Sequence, residues 1–114
     1  MLDVNKELVE ALSDVLPTYY AVFQGKMTMP CITYQAYDNT ETKTGDTICY
    51  STVGYYIKLW GNDLSVLLPD MQSVDEIMRN LGYRRVSYNE VPYDTEICLV
   101  AQYRGLGLEE RDTE

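Results

Sequence analysis

The sequence predicts an α+β fold: a mostly antiparallel β-sheet with two α-helices packed on one face, and a long β-hairpin between the third and fourth strands. Apolar residues alternate with polar ones from Thr47 to Trp60, which is the period of a half-buried strand. They recur at three- and four-residue steps from Asp63 to Leu81, which is the period of an amphipathic helix. Eleven tyrosines against one phenylalanine favour sheets and interfaces over a helical bundle.

The length of 114 residues predicts a single domain over 1–114, because a chain of this size can bury one core but not two. A hydrophobic content of 46% and a charged content of 24% are ordinary for a soluble globular protein, so disorder is not expected. The sequence has no signal peptide and no apolar stretch of about 18 residues. We therefore expect folding in a reducing cytosol and no membrane contact.

The first predicted element is a helix over residues 2–16, where leucines and valines recur at helical spacing. Pro17 ends it, because proline cannot continue the hydrogen-bond pattern of a helix. Two strands follow, YYAVFQ over 19–24 and the alternating stretch 31–37, with a loop between them.

Residues 38–46, DNTETKTGD, contain no apolar side chain and end in Gly-Asp. They predict the exposed tip of a hairpin or, as an alternative, an arm that reaches out from the body. In the strand that follows, one set of alternating side chains is predicted to face the core: Val53, Tyr55, Ile57 and Leu59.

Within the second helix, Pro69 lacks an N–H group and crowds the preceding turn, so we expect a kink or a short turn before the main helix. Gly82 is well placed to end this helix in a left-handed conformation. Two last strands are predicted on either side of Asp94-Thr95, with Pro92 at an edge, a bulge or a strand end. Residues 105–114 are predicted to form an acidic C-terminal tail.

Composition excludes several classes of function. The formal net charge of -9 repels a phosphate backbone, so general nucleic-acid binding is not expected. Histidine is absent and the three cysteines show no CxxC spacing, which argues against the usual zinc sites and against nucleophile-histidine pairs. Each cysteine lies in an apolar or aromatic run and is interpreted as a buried structural thiol. We expect no catalytic residue, no metal and no cofactor.

Arg84 and Arg85 form the only dibasic site, and neighbouring residues of a strand point to opposite faces. A local ion pair is one interpretation, and an intersubunit or phosphate contact is the other. Trp60 marks a core edge or, if exposed next to Tyr56, an interface anchor. The candidate interface residues are Asn39, Thr40, Glu41, Thr42, Lys43, Thr44, Tyr56, Trp60, Arg84 and Arg85.

Four stretches together carry a family resemblance: YYIKLWGND, the helix up to MRNLG, the GYRR strand opening, and YDTEICLVAQYRG. The chain resembles the tail-terminator or tail-completion proteins of long-tailed bacteriophages over most of its length. The resemblance implies a structural virion protein, assembled in the host cytoplasm into a hexameric ring at the head-proximal end of the tail. Its implied partners are copies of itself, the tail tube protein and the head-completion or connector protein, with DNA only as cargo through the channel.

Two other classes of function are compatible with the residues. A small acidic protein could occupy the basic nucleic-acid-binding site of a partner as an inhibitor. An enzyme would require a deep pocket with convergent polar groups, and nothing in the sequence locates one. Self-association separates the first two hypotheses, because a ring protein assembles with itself whereas an inhibitor is a stable monomer that captures a basic partner.

Overall fold

The computed structural model describes residues 5–20, 29–44, 47–92 and 95–107. The sheet contains five strands in the order β1-β2-β3-β5-β4, in which β1 pairs with β2 in parallel and the other pairs are antiparallel. The predicted α+β class is therefore confirmed. The elements are α1 (Asn5–Leu12), β1 (Thr18–Tyr20), β2 (Cys31–Thr44), β3 (Thr47–Gly61), α2 (Leu64–Asn80), β4 (Tyr83–Pro92) and β5 (Ile97–Gly107).

Both helices pack on the same face of the sheet and share one hydrophobic core. Leu8 and Leu12 of α1 join the buried side of α2 in this core. The sheet supplies alternate residues, as the period of a strand requires. The predicted core set of β3 is confirmed, since all four residues are 0–1% exposed: Val53, Tyr55, Ile57 and Leu59.

The long hairpin joins the second and third strands, β2 and β3, and not the third and fourth as predicted, because α2 separates β3 from β4. The predicted loop is also mostly strand, since residues 38–44 pair with residues 47–54. Threonine is a strand-favouring residue although it is polar, and this explains why an apolar pattern missed the pairing. Beyond the Ser51↔Gly107 pair, residues 47–50 pair only with β2 among the described residues, so the hairpin continues as a two-stranded ribbon. We call residues 42–44 with 47–50 the ribbon.

Helix α2 begins at a standard N-cap and runs through its proline without interruption. The Asp63 carboxylate accepts hydrogen bonds from the backbone N–H of Ser65 at 3.0 Å and from its hydroxyl at 2.8 Å. Pro69 lies inside the helix, so the predicted short turn before a main helix is wrong. Gly82 has a φ of 98°, which confirms the predicted left-handed position after the helix.

The first helix is shorter than predicted. Helix α1 ends at Leu12, and residues 13–15 form a turn in which the N–H of Val15 donates to the carbonyl of Leu12 at 2.9 Å. Strand β1 covers only the start of the predicted strand 19–24, and residues 21–28 lie outside the described ones. Leu68 belongs to the apolar residues that recur along the predicted second helix, but it is 39% exposed.

Strand β4 is an edge strand of the sheet and ends at Pro92. Proline has no backbone N–H to donate, and at the end of an edge strand this does not interrupt the hydrogen bonds between strands. Its register with β5 shifts between Arg85 and Ser87, which leaves Val86 in a bulge with 56% of its surface exposed. The predicted acidic tail, residues 105–114, starts within β5, and residues 108–114 lie outside the described part of the chain.

Candidate assembly surfaces

The face of the sheet opposite the helices is the first candidate surface. We call it the outer face, and within the described residues no helix packs on it. Register places its members directly across the strands from one another. The end of this face near Trp60 is the more buried one, since the residues on both sides of Trp60 are buried cysteines. At the other end, Gln35 is exposed. The outer face consists of Cys31, Thr33 and Gln35 of β2, Tyr56, Lys58 and Trp60 of β3, and Cys98, Val100 and Gln102 of β5.

Trp60 is the central side chain of the outer face. It pairs across the sheet with Cys31 on β2 and with Cys98 on β5. Its indole N–H donates to the hydroxyl of Thr33 at 3.0 Å, and that threonine is only 5% exposed. Trp60 is itself half-buried, so its ring remains partly open to solvent while its polar atom is satisfied.

The two cysteines beside Trp60 are buried free thiols, which confirms the predicted burial at these two positions. Burial is the main cause that raises the pKa of Cys31 above its ordinary value, and Glu96 adds to it. Burial also raises the pKa of Cys98 to about 11, against the opposing effect of Lys58. A thiol with a raised pKa is protonated at neutral pH and is a poor nucleophile. The side chain of the third cysteine, Cys49, lies outside the described ones.

A bulge brings a tyrosine across the outer face near the base of the hairpin. The register shifts between Ala36 and Asp38, and the ring of Tyr37 lies over Gly54. A β-carbon at Gly54 would stand only 2.3 Å from Cζ of Tyr37, so only glycine leaves room for the ring. The ring also packs against Tyr56 with 4.9 Å between centroids. Its hydroxyl donates to the carbonyl of Tyr103 at 3.4 Å, so this one side chain reaches from β2 to β5.

The second candidate surface is a cleft of about 540 Å³ where α2 leads into β4. Three arginines line it: one lies in the last turn of α2, and two lie near the start of β4. We call it the arginine cleft, and its lining residues are Asp75, Arg79, Gly82, Tyr83, Arg84 and Arg85.

Asp75 organises the arginine cleft from its inner side. Its side chain is 15% exposed and forms ion pairs with Arg79 and, at 3.7 Å, with Arg85. It also accepts a hydrogen bond from the hydroxyl of Tyr103 at 3.1 Å. Burial raises the pKa of Tyr103, and the adjacent carboxylate raises it further because that carboxylate disfavours a phenolate. One carboxylate therefore ties α2 to both β4 and β5.

The predicted interface residues divide between these surfaces. Tyr56 and Trp60 lie on the outer face. Arg85 lies on the helix side, where it forms the predicted local ion pair, and alternation along β4 places Arg84 on the other side. Both arginines line the same cleft. The hairpin candidates Asn39, Thr40, Glu41, Thr42, Lys43 and Thr44 lie in β2, with side chains outside the described ones.

Sequence reasoning missed Asp75, Arg79 and Tyr37. The signal for the first two was present, since an aspartate four residues before an arginine on a helix predicts an ion pair. That the pair would meet Arg85 depends on the packing of α2 against β4, which no local pattern reveals. Tyr37 was predicted as an ordinary strand residue, and its role depends on a bulge opposite a glycine.

Within the described residues, no group of three or more acidic or cysteine side chains could hold a metal ion. No helix in that part of the chain is long and apolar enough to cross a membrane. No protein-family model matches the sequence, and no curated protein matches it.

Proposed function

We propose that this protein is a structural virion protein of a long-tailed bacteriophage. In this proposal it caps the tail tube at its head-proximal end as a homo-oligomeric ring, a hexamer by the sequence resemblance, and joins the tail to the head. It binds the tail tube protein on one side and the head-completion or connector protein on the other. It acts by binding rather than by catalysis, and DNA passes through it as cargo.

One observation carries the proposal: the fold leaves two different surfaces outside its core, the outer face and the ribbon. A head-to-tail ring requires two distinct patches on each protomer, because the contact is heterologous. The outer face offers half-buried aromatic rings at Tyr56 and Trp60, the residue types that anchor protein interfaces. The ribbon offers paired backbone that extends past the β3–β5 ladder.

The charge of the chain suits the same role. A channel through which DNA slides must not hold the phosphate backbone, and a net charge of -9 opposes such binding. Four of the nine basic residues, namely Arg79, Arg84, Arg85 and Arg104, cluster at one end of the sheet, since Arg84 pairs with Arg104 across β4 and β5. Acidic residues therefore outnumber basic ones in the rest of the sequence.

The proposal is tested by sedimentation and negative-stain imaging of the purified protein, alone and with tail tube protein. We expect rings alone or at tube ends. A ribbon-deleted variant, in which a two-residue Asn-Gly turn replaces residues 42–50, is expected to remain folded and to sediment as a monomer. If it still forms rings, the ribbon is not the contact.

If the wild-type protein stays monomeric even with tube ends present, the ring proposal fails. Capture of a basic partner by that monomer would support the inhibitor hypothesis instead.

The outer face is tested with a matched pair of charge insertions. Tyr56→Glu places a carboxylate on the outer face, where desolvation in an interface is costly. Gln72→Glu places the same charge on the exposed side of α2. We expect the first variant to lose ring formation and the second to retain it, with unchanged circular dichroism for both. Equal behaviour of the two variants would remove the outer face from the contact.

A further inference from the structure

Lys58 is the charged side chain at the centre of the outer face. It lies directly opposite Thr33 on β2 and Val100 on β5, and neither of these residues carries a charge. Lys58 is half-buried and forms no ion pair with any described residue. Glu96 precedes Val100 by four residues, which places it roughly 13 Å away along the sheet. The charge of Lys58 therefore depends on contact with solvent.

A surface that packs on the outer face must bring a carboxylate to Lys58. The proposed ring covers the outer face, and covering it removes solvent from the lysine. A desolvated charge without a partner is strongly destabilising, whereas a carboxylate of opposite charge offsets the cost. Tyr56 and Trp60 flank Lys58 on the same side of β3. The matching surface therefore needs apolar side chains beside its carboxylate.

The first half of α2 offers a surface of this kind. Val66 is 54% exposed, and Asp70 follows it one helical turn later on the same side. Pro69 adjoins both and is exposed. Asp70 is half-buried and, like Lys58, forms no ion pair within the described part of the chain. We call Val66, Pro69 and Asp70 the α2 patch, and it combines apolar atoms with an unpaired carboxylate.

We propose that Lys58 selects the partner of the outer face, and that this partner is the α2 patch of a second copy, whose Asp70 pairs with Lys58. The inference rests on the proposed ring and names a contact within it. Helices already cover the inner face of the sheet, so a neighbour's helix is a fitting cover for the other face. The two patches lie on opposite sides of the protomer, so the contact is heterologous, as a ring requires. The ribbon continues β2 and β3 and extends this contact beyond the outer face.

Charge reversal in the full-length protein tests the pairing, with ring assembly measured by sedimentation, alone or on tail tube ends. Lys58→Glu and Asp70→Lys each place like charges in the contact. Each variant is expected to raise the protein concentration needed for half-assembly at least about tenfold. An equal mixture of the two is expected to assemble within about threefold of the wild type. Alternation around a hexamer brings opposite charges together at every contact, because its number of subunits is even.

Lys6→Glu and Glu10→Lys make the same two charge changes at exposed positions of α1. Both controls should assemble like the wild type, with unchanged circular dichroism for all four variants. Lys58→Gln and Asp70→Asn serve if a reversal disturbs folding, with a smaller loss expected.

The outcomes separate this inference from the ring itself. If wild-type rings form but the Lys58 and Asp70 variants assemble like their controls, the inference is overturned and the ring proposal stands. Loss of assembly with Lys58→Glu alone, or a mixture that does not recover, would show that the α2 patch is not the partner. If the wild-type protein forms no rings, both proposals fail together.

Discussion

Single side chains on this sheet connect strands that are not neighbours in the chain. Tyr37 crosses Gly54 to reach the Tyr103 carbonyl, and the Tyr103 hydroxyl on the opposite face donates to Asp75 of α2. Tyrosine suits both roles, because its ring covers apolar surface while its hydroxyl finds a polar partner. The tyrosine-rich composition predicted sheets and interfaces, but only the register shows which tyrosine reaches which strand.

Gly54→Ala is expected to lower the free energy of unfolding by about 1–3 kcal/mol, because the added β-carbon overlaps the ring of Tyr37. Denaturant titration followed by circular dichroism measures the change. The control is the same substitution in a Tyr37→Ala background, where no ring opposes the methyl group. There the cost should fall by about 1 kcal/mol or more. An equal cost in both backgrounds would mean that the clash is not its source.

Tyr83 is one of the buried groups that make stability depend on pH in the alkaline range. Burial, with a contribution from Glu7, raises the pKa of Tyr83 to about 12. In the unfolded chain the pKa of tyrosine lies near 10. The unfolded state therefore releases its proton first, so the contribution of Tyr83 to stability is fully present below about pH 10 and is lost as the pH rises toward about 12. Thermal melts over this range should show a falling midpoint, with a shallower fall for Tyr83→Phe than for the wild-type protein.

At the level of elements, periodicity predicted the segments that are buried on one side only. Helix α2 and strand β3 each place apolar residues on one face, so the sequence shows their period directly. The hairpin arm over 38–44 contains no apolar residue whose period could mark it, and its strand pairing was missed. The candidate surfaces were predicted only in part: Arg84 and Arg85 stand out as a dibasic pair, whereas their meeting with Asp75 requires the packing of a helix on an edge strand.

Pro69→Ala is expected to raise the free energy of unfolding by about 1–3 kcal/mol. Proline inside a helix costs roughly 3 kcal/mol relative to alanine, and the greater freedom of the unfolded alanine chain offsets part of the gain. The site is exposed, so no core packing is lost. Urea titration measures the difference. Gln72→Ala, one turn further along the exposed side of α2, should change stability by less than about 0.5 kcal/mol. A destabilised Pro69→Ala variant would show that the proline is needed for the path of the helix.

The fold has a single hydrophobic core, which lies between one face of the sheet and the two helices. Every strand except β1 contributes to the buried cluster or packs against it, and both helices close the same face. The other face carries Trp60, which donates a hydrogen bond to Thr33 and lies directly across the strands from Cys31 and Cys98. The only tryptophan of the chain therefore reports on the sheet from the side opposite the core.

This arrangement makes the short helix α1 part of the cooperative unit. Leu12 is 0% exposed within the shared core, so Leu12→Ala is expected to lower the free energy of unfolding by about 2–5 kcal/mol. Because the core is shared, the transition should shift together for circular dichroism, which reports all elements, and for Trp60 fluorescence, which reports the outer face. Glu10→Ala, exposed on the same helix, should leave both transitions within about 0.5 kcal/mol of the wild type. A shift in circular dichroism without a shift in Trp60 fluorescence would mean that α1 unfolds independently and that the sheet does not need it to cover the core.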